Sequence, residues 1–448
     1  MVLAHPAPAV PAASSAPRWR ERLLPLSSGP REIRAMDGLR ALAALSVLVF
    51  HAIVTSSIPT IALGQDVTWV WFYAESGVDL FFVLSGFLLF LPYARAMLHG
   101  RPLPGARQFY RRRALRILPA YWVCLAILVV LQLHTYLTPM GIQNVLAHVV
   151  LLHDDNYAFN RAIQGPFWTL AVEAQFYVVL PLLALCIARF VGATRSARRL
   201  MLGVLGVILF ALSLRELDAV VAMLIPMWPA AVASRANVAL NLLTGAQGKY
   251  LEVFAVGMLC SVIYVLVIED HRWPRAVALR VGTILFCCSI AMYLVLAQAV
   301  IRLHNLILAP YFLLLRPWDM ATICGPLLVG IGYGALVLGV LLGSRAVRAP
   351  FESAPVRFVG LISYSLYLWH VPILRAFKPY FTSAPLLVQS IIALAVGMFV
   401  AIPAAYVSYQ LVERPFLRRR RMFNAESAER RESTQRSTDE AALSAQRA

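Results

Sequence analysis

The chain has 448 residues, 60% of them hydrophobic, with mean hydropathy +0.71 and a formal net charge of +18. That composition excludes an ordinary soluble globular domain and points to a polytopic membrane protein. Nearly all the cations are arginines, the lysines being Lys249 and Lys378. They fall in short segments between apolar stretches, so they read as a topology signal and give no ground for a nucleic-acid partner.

Taken in order, residues 1 to 33 are Pro/Ala-rich and polar, without the apolar core of a cleaved signal peptide, and read as a disordered cytoplasmic arm. Ten long apolar stretches follow, at 39–58, 78–98, 115–133, 168–190, 199–214, 249–268, 279–301, 322–342, 356–377 and 386–412. Each approaches the ~20 residues that a spanning helix needs, the fifth being short. The segment 219–233 is apolar but interrupted by Pro226 and Pro229, and reads as an interfacial or re-entrant piece. The expected fold is therefore an all-α polytopic membrane protein of about ten transmembrane helices. The membrane domain covers 34–413, and a tail at 414–448 is basic at first and then polar.

Charge sets the orientation. Alternate short loops carry Arg101, Arg107, Arg111, Arg112, Arg113 and Arg116, then Arg189, Arg195, Arg198 and Arg199, then Arg272, Arg275 and Arg280, then Arg345, Arg348 and Arg357. The opposite loops carry Arg161, Arg215, Arg235, Arg302, Arg316 and Lys378. By the positive-inside rule both termini are cytoplasmic, in a multi-pass protein of the plasma membrane. The six cysteines, Cys124, Cys186, Cys260, Cys287, Cys288 and Cys324, lie in apolar stretches without metal-ligand spacing and read as buried hydrophobes.

The first apolar stretch holds the sharpest polar signal. Arg40 and His51 are eleven residues apart. Eleven steps of about 100° end roughly 20° past three turns, so the two share one face, about 16 Å apart along the axis. An ionisable residue at that depth is a functional-site hypothesis. With the charge-derived topology, Asp79 lies near the outer surface in the second helix, Ser85 about 9 Å deeper, and Glu173 about one to two turns down from the outer end of the fourth. His370 in the ninth stands at a depth similar to His51. Glu173, flanked by Leu170, Val172 and Phe176, needs a partner. Arg113 and Arg116, three apart at the start of the third helix, share a face, and arginine forks match phosphate oxygens.

Six segments in order, DGLRALAALSVLVFHA, GVDLFFVLSGFLL, FYRRRALRILPAYW, FWTLAVEAQFY, SYSLYLWH and VERPF, resemble the acyltransferase-3 family of integral membrane O-acyltransferases. The resemblance covers roughly residues 34–417. It implies transfer of an acyl group, acetyl or another short one, from acyl-CoA to a hydroxyl of a carbohydrate, glycolipid or glycosylated metabolite, with no resident cofactor or metal. The family's arginine–histidine motif falls on Arg40 and His51, the histidine being taken as catalytic, and its Arg-x-x-Arg motif on Arg113 and Arg116. On this reading the arginines bind the donor, His51 is the general base, and Glu173 or Asp79 orients the imidazole. His370 is a second acid/base or a structural hydrogen-bonder. A covalent acyl-histidine is a less favoured variant. Many family members carry a C-terminal esterase-like domain, which is not expected in this sequence. A proton-coupled transporter or flippase for a lipid-linked glycan is the alternative class. Acceptor, acyl length and oligomeric state are open.

Overall fold

A computed structural model describes residues 33–56, 61–62, 65–66, 74–155, 159, 162–229, 232, 250–307 and 317–418. The N-terminal arm and the tail beyond 418 lie outside the described residues. Among those described, the chain is helical apart from one antiparallel pair of two-residue strands, Ile61–Ala62 (β1) and Gln65–Asp66 (β2).

The long helices are α1 (Ala35–Thr55), α2 (Gly77–His99), α3 (Ala106–Leu131), α6 (Phe167–Val191), α7 (Ala197–Leu224), α8 (Leu251–Tyr264), α9 (Arg275–Ile307) and α10 (Pro317–Leu342). Short helices α4 (Leu133–Tyr136) and α5 (Pro139–Val149) follow α3; α11 (Arg345–Glu352), α12 (Ala354–Leu361) and α13 (Ser363–Phe377) follow α10. The last span begins as α14 (Leu386–Val396) and continues through a π turn into α15 (Ile402–Ser408) and a second π turn, Tyr409–Glu413. Nine of the described helices are long and apolar enough to cross a membrane. The stretch 356–377 is not one of them, because the helix breaks at Ile362 between α12 and α13.

The fifth span differs from the sequence expectation. Instead of a short helix followed by a separate piece at 219–233, α7 runs unbroken to Leu224 and ends in a 3-10 turn, Ile225–Met227. Pro226 ends it: proline has no N–H to continue the ladder, and its ring crowds the preceding turn. Most of 230–233 lies outside the described residues.

Helix ends follow local chemistry. Thr138 accepts from Gly141 N–H at 3.0 Å, with Pro139 in the first turn of α5. α2 stops at Gly100, whose φ of 63° is the left-handed cap that glycine adopts without steric cost. Within the bundle, α2 and α8 touch backbone to backbone. A Cβ on Gly86 would stand 2.0 Å from the Phe254 carbonyl oxygen, and one on Gly257 2.0 Å from that of Val83. Small residues at such crossings substitute close packing for a hydrophobic force that lipid cannot supply. This contact anchors the largest apolar cluster, which spans α1, α2, α6, α7, α8 and α10. A second cluster, around Tyr121, Phe167 and Leu368, joins α3, α6 and α13, and the candidate site lies between the two.

Candidate functional site

α1, α2, α3, α6 and α13 line a partly open cavity with ≈ 760 Å³ of empty space, counting the solvent at its mouth. Arg40, Arg113 and Arg116 line it together with Ser85, Glu173 and Tyr177. Its other walls are apolar and aromatic, and Thr169 and Tyr367 line it as well.

Glu173 is the focus of the polar wall. Its carboxylate accepts from the Ser85 hydroxyl and from the Tyr177 phenol, both at 2.5 Å. Tyr177 is the i+4 neighbour on α6, and Ser85 comes across from α2, so one donor is local and the other tertiary. The electrostatic neighbours of Arg40 are Arg116, Asp37, Arg113 and Glu173. Arg113 also lies 6.0 Å from the Tyr177 ring centre. An isolated carboxylate at this depth would be costly; this one has two hydroxyl donors and faces guanidinium groups.

The histidines form a second group. His370 Nδ1 lies 3.0 Å from the Leu366 carbonyl oxygen, four residues back on α13. His51 Nδ1 lies 2.9 Å from the Val47 carbonyl oxygen, four residues back on α1, and 3.2 Å from His370 Nε2. The two rings meet edge to face, centroids 4.9 Å apart. A neutral imidazole has one N–H. The carbonyls therefore assign the tautomers: His370 donates from Nδ1 and accepts at Nε2, and His51 donates from Nδ1. The basic lone pair of His51 is then on Nε2. Tyr367 joins this pair to the cavity. Its ring lies 5.7 Å from that of His370, and its hydroxyl meets Thr169 Oγ1 at 2.5 Å and donates to the Pro166 carbonyl at 2.9 Å.

Asp79 belongs to a third group. Its electrostatic neighbours are Glu75, Glu252 and Arg215. Arg215 of α7 pairs with Glu252 of α8 at 2.6 Å and lies 5.3 Å from the Tyr250 ring centre. The sequence reading placed His51, Asp79, Glu173 and His370 in one outer constellation. The structure brings together His51 and His370, sets Glu173 among the arginines, and puts Asp79 within electrostatic range of Glu75, Glu252 and Arg215. The polar groups seen around His51 include the Val47 carbonyl and His370 Nε2.

Several participants lie in the matched segments without a role that the sequence assigns them. Ser85, Tyr177, Thr169 and Tyr367 gain one only when α2, α6 and α13 are packed. Two of the six ordered segments also turn out to be joined. Ser365 donates to the buried Glu413 carboxylate, and Trp369 Nε1 donates to Ser408 at 3.0 Å, so SYSLYLWH is fastened to VERPF across α13 and the last span.

The guanidinium-lined cavity thus lies between the helices, its Tyr367 wall touching His370 and, through it, His51. The family model of the acyltransferase domain (Acyl_transf_3) matches residues 33–410, and the chain belongs to that family. It is 24% identical over 404 residues to the peptidoglycan O-acetyltransferase OatA of Listeria monocytogenes, covering 86% of this chain and 55% of that protein. It is 22% identical to the O-acetyltransferase OatA of Staphylococcus aureus over 86% of this chain and 57% of that one. With the exopolysaccharide production protein ExoZ of Rhizobium meliloti it shares 28% identity over 77% of this chain and 90% of ExoZ. The chain thus spans little more than half the length of the OatA proteins. No solved structure matches it.

Proposed function

We propose that the protein is a plasma-membrane O-acyltransferase that moves a short acyl group, acetyl first among candidates, from cytoplasmic acyl-CoA to a hydroxyl of an envelope polysaccharide. The supporting observation is the cavity lined by Arg40, Arg113 and Arg116, whose Tyr367 wall adjoins the His370–His51 pair. The relatives' names, peptidoglycan O-acetyltransferase and exopolysaccharide production protein, support a glycan acceptor.

On this reading both termini face the cytoplasm, as the arginine distribution requires. The arginines hold the donor's phosphates, and the slender pantetheine arm enters between the helices. Glu173 keeps the guanidinium cluster from self-repulsion and positions it through Ser85 and Tyr177. The acceptor oxygen attacks the thioester carbonyl and its proton passes to His51 Nε2. The C–S bond breaks, and the departing thiolate takes the proton back from the imidazolium. The Val47 carbonyl holds His51 Nδ1–H and so keeps the lone pair on Nε2, while His370 Nε2, 3.2 Å away, supports the same N–H from across the pair. A positioned base of this kind contributes about 10²–10⁴-fold.

The test is a detergent-purified protein given acetyl-CoA with soluble glycan fragments. Thiol release and an acetyl mass increment on the glycan, dependent on both substrates, are the expected results. Protein that binds the glycan but never acetylates it would overturn the proposal in favour of transport.

A further inference from the structure

A second cavity lies at the bundle end where α1 begins and α2 and α8 finish. It is open to one side, with ≈ 1140 Å³ of empty space counting the solvent at its mouth, and its lining includes Arg34, Arg95, Arg348, Glu269, Glu352 and Tyr264. None of these side chains takes part in the acyl-transfer reading.

Its geometry follows from the sequence of α11. In RAVRAPFE, Arg345, Arg348 and Glu352 recur at three- and four-residue spacing and share one face. Val347 and Phe351, on the other face, pack against the main apolar cluster. α11 is thus a short amphipathic helix at the rim of the bundle. Gly38 seats it against α1, since a Cβ there would stand 2.2 Å from the Phe351 carbonyl oxygen. That contact leaves Arg348 and Glu352 on the cavity wall.

The charges do not cancel. Arg95 is matched by Glu269, its Nε lying 3.0 Å and 2.8 Å from the two carboxylate oxygens, with Nη2 also bonded to Oε1. Among the described residues, no ion pair joins Arg34 or Arg348 to a carboxylate. Arg348 Nε is buried and has no hydrogen-bond partner there. Three guanidinium groups against two carboxylates leave an uncompensated positive charge in a concave space with an apolar margin of Ile33, Ile268 and Leu341. A buried donor without an acceptor is unfavourable, and a basic pocket between spanning helices is suited to a phosphate-bearing head group.

We propose that the second cavity is a binding site for a phosphate group, with Arg34 and Arg348 as its ligands, Arg95 held in place by Glu269, and the apolar margin taking the adjoining chains when the phosphate belongs to an anionic phospholipid. The shared chemistry is a phosphate oxyanion on two arginine forks; a lipid head group and a soluble phosphate ester are its two sources.

The experiment uses the full chain in detergent, with retained lipid read by native mass spectrometry after exchange against phosphatidylglycerol or phosphatidylcholine. A parallel titration uses adenosine 3′,5′-bisphosphate. Arg34→Gln and Arg348→Gln are each expected to weaken the phosphate ligand about fivefold, which is about 1 kcal/mol per arginine. Glu352→Gln, which removes a neighbouring negative charge, is expected to tighten it, a gain that misfolding does not imitate. Loss confined to phosphatidylglycerol identifies the lipid source, and loss confined to the bisphosphate identifies the soluble one. If all three variants hold both probes as the native protein does, the site does not exist.

Discussion

The two halves of the candidate site satisfy their polar groups by different means. At the histidine end, each imidazole is bonded to a carbonyl four residues back on its own helix, so ring orientation and tautomer are set locally before the rings meet. At the arginine end, Glu173 depends on Ser85 from another helix, and the guanidinium groups come from α1 and α3. Chemistry that needs one defined lone pair is thus built on local geometry, and charge balance on packing. The histidine half should therefore tolerate small shifts between helices, while the arginine half should register them.

The largest expected effect tests the histidine half. His51→Ala is expected to lower acyl transfer by at least about 10²-fold in a folded, inserted protein, measured by thiol release from acetyl-CoA. His370→Gln should lower kcat about tenfold without changing the donor KM, because His370 acts through the position of the His51 proton. Its pH–rate profile should shift, which a merely structural role would not produce. Near-normal turnover in His51→Ala would end the assignment.

The arginine half comes next. Arg113→Ala and Arg116→Ala are each expected to raise the acyl-CoA KM about tenfold with a smaller change in kcat, since contacts remote from the carbonyl contribute mainly uniform binding. Lysine should rescue in part, because the charge returns without the fork. Glu173→Gln should lower kcat/KM about three- to tenfold. Glu173 and His51 belong to different groups, so the double variant should lose activity additively in free energy. Marked non-additivity would merge the halves into one unit.

The smallest effect concerns stability. His148 and His153, beyond the spanning helices, are buried and stacked with ring centres 3.9 Å apart. Burial pushes His148 down to about 4; His153, pushed down to about 3, is also opposed by His148. Folded pKa values below the unfolded value mean that the unfolded chain binds protons first. Stability is therefore full above pH 6.5 and falls as the pH drops towards 4, by about 1–2 kcal/mol per histidine at pH 5. A thermal melt at pH 7 and pH 5 should show the drop, and His153→Gln should flatten it.

Hydropathy and charge in the sequence determined the membrane class, the succession of spans, the Arg40–His51 stripe and the family resemblance. These were legible because apolar length and the period of 3.6 residues are properties of a single helix. The same signals missed the unbroken course of α7, whose polar stretch Ser213–Asp218 interrupts the apolar run without ending the helix, and the break at Ile362, which no proline marks. Partner choice was decided by tertiary structure alone. His51 finds His370, 319 positions away, Glu173 finds Ser85, 88 positions away, and Asp79 falls in the electrostatic neighbourhood of Glu75, Glu252 and Arg215. Periodicity states which residues share a face of one helix; which faces meet depends on crossings such as Gly86 against Phe254, where contact between backbones sets the register.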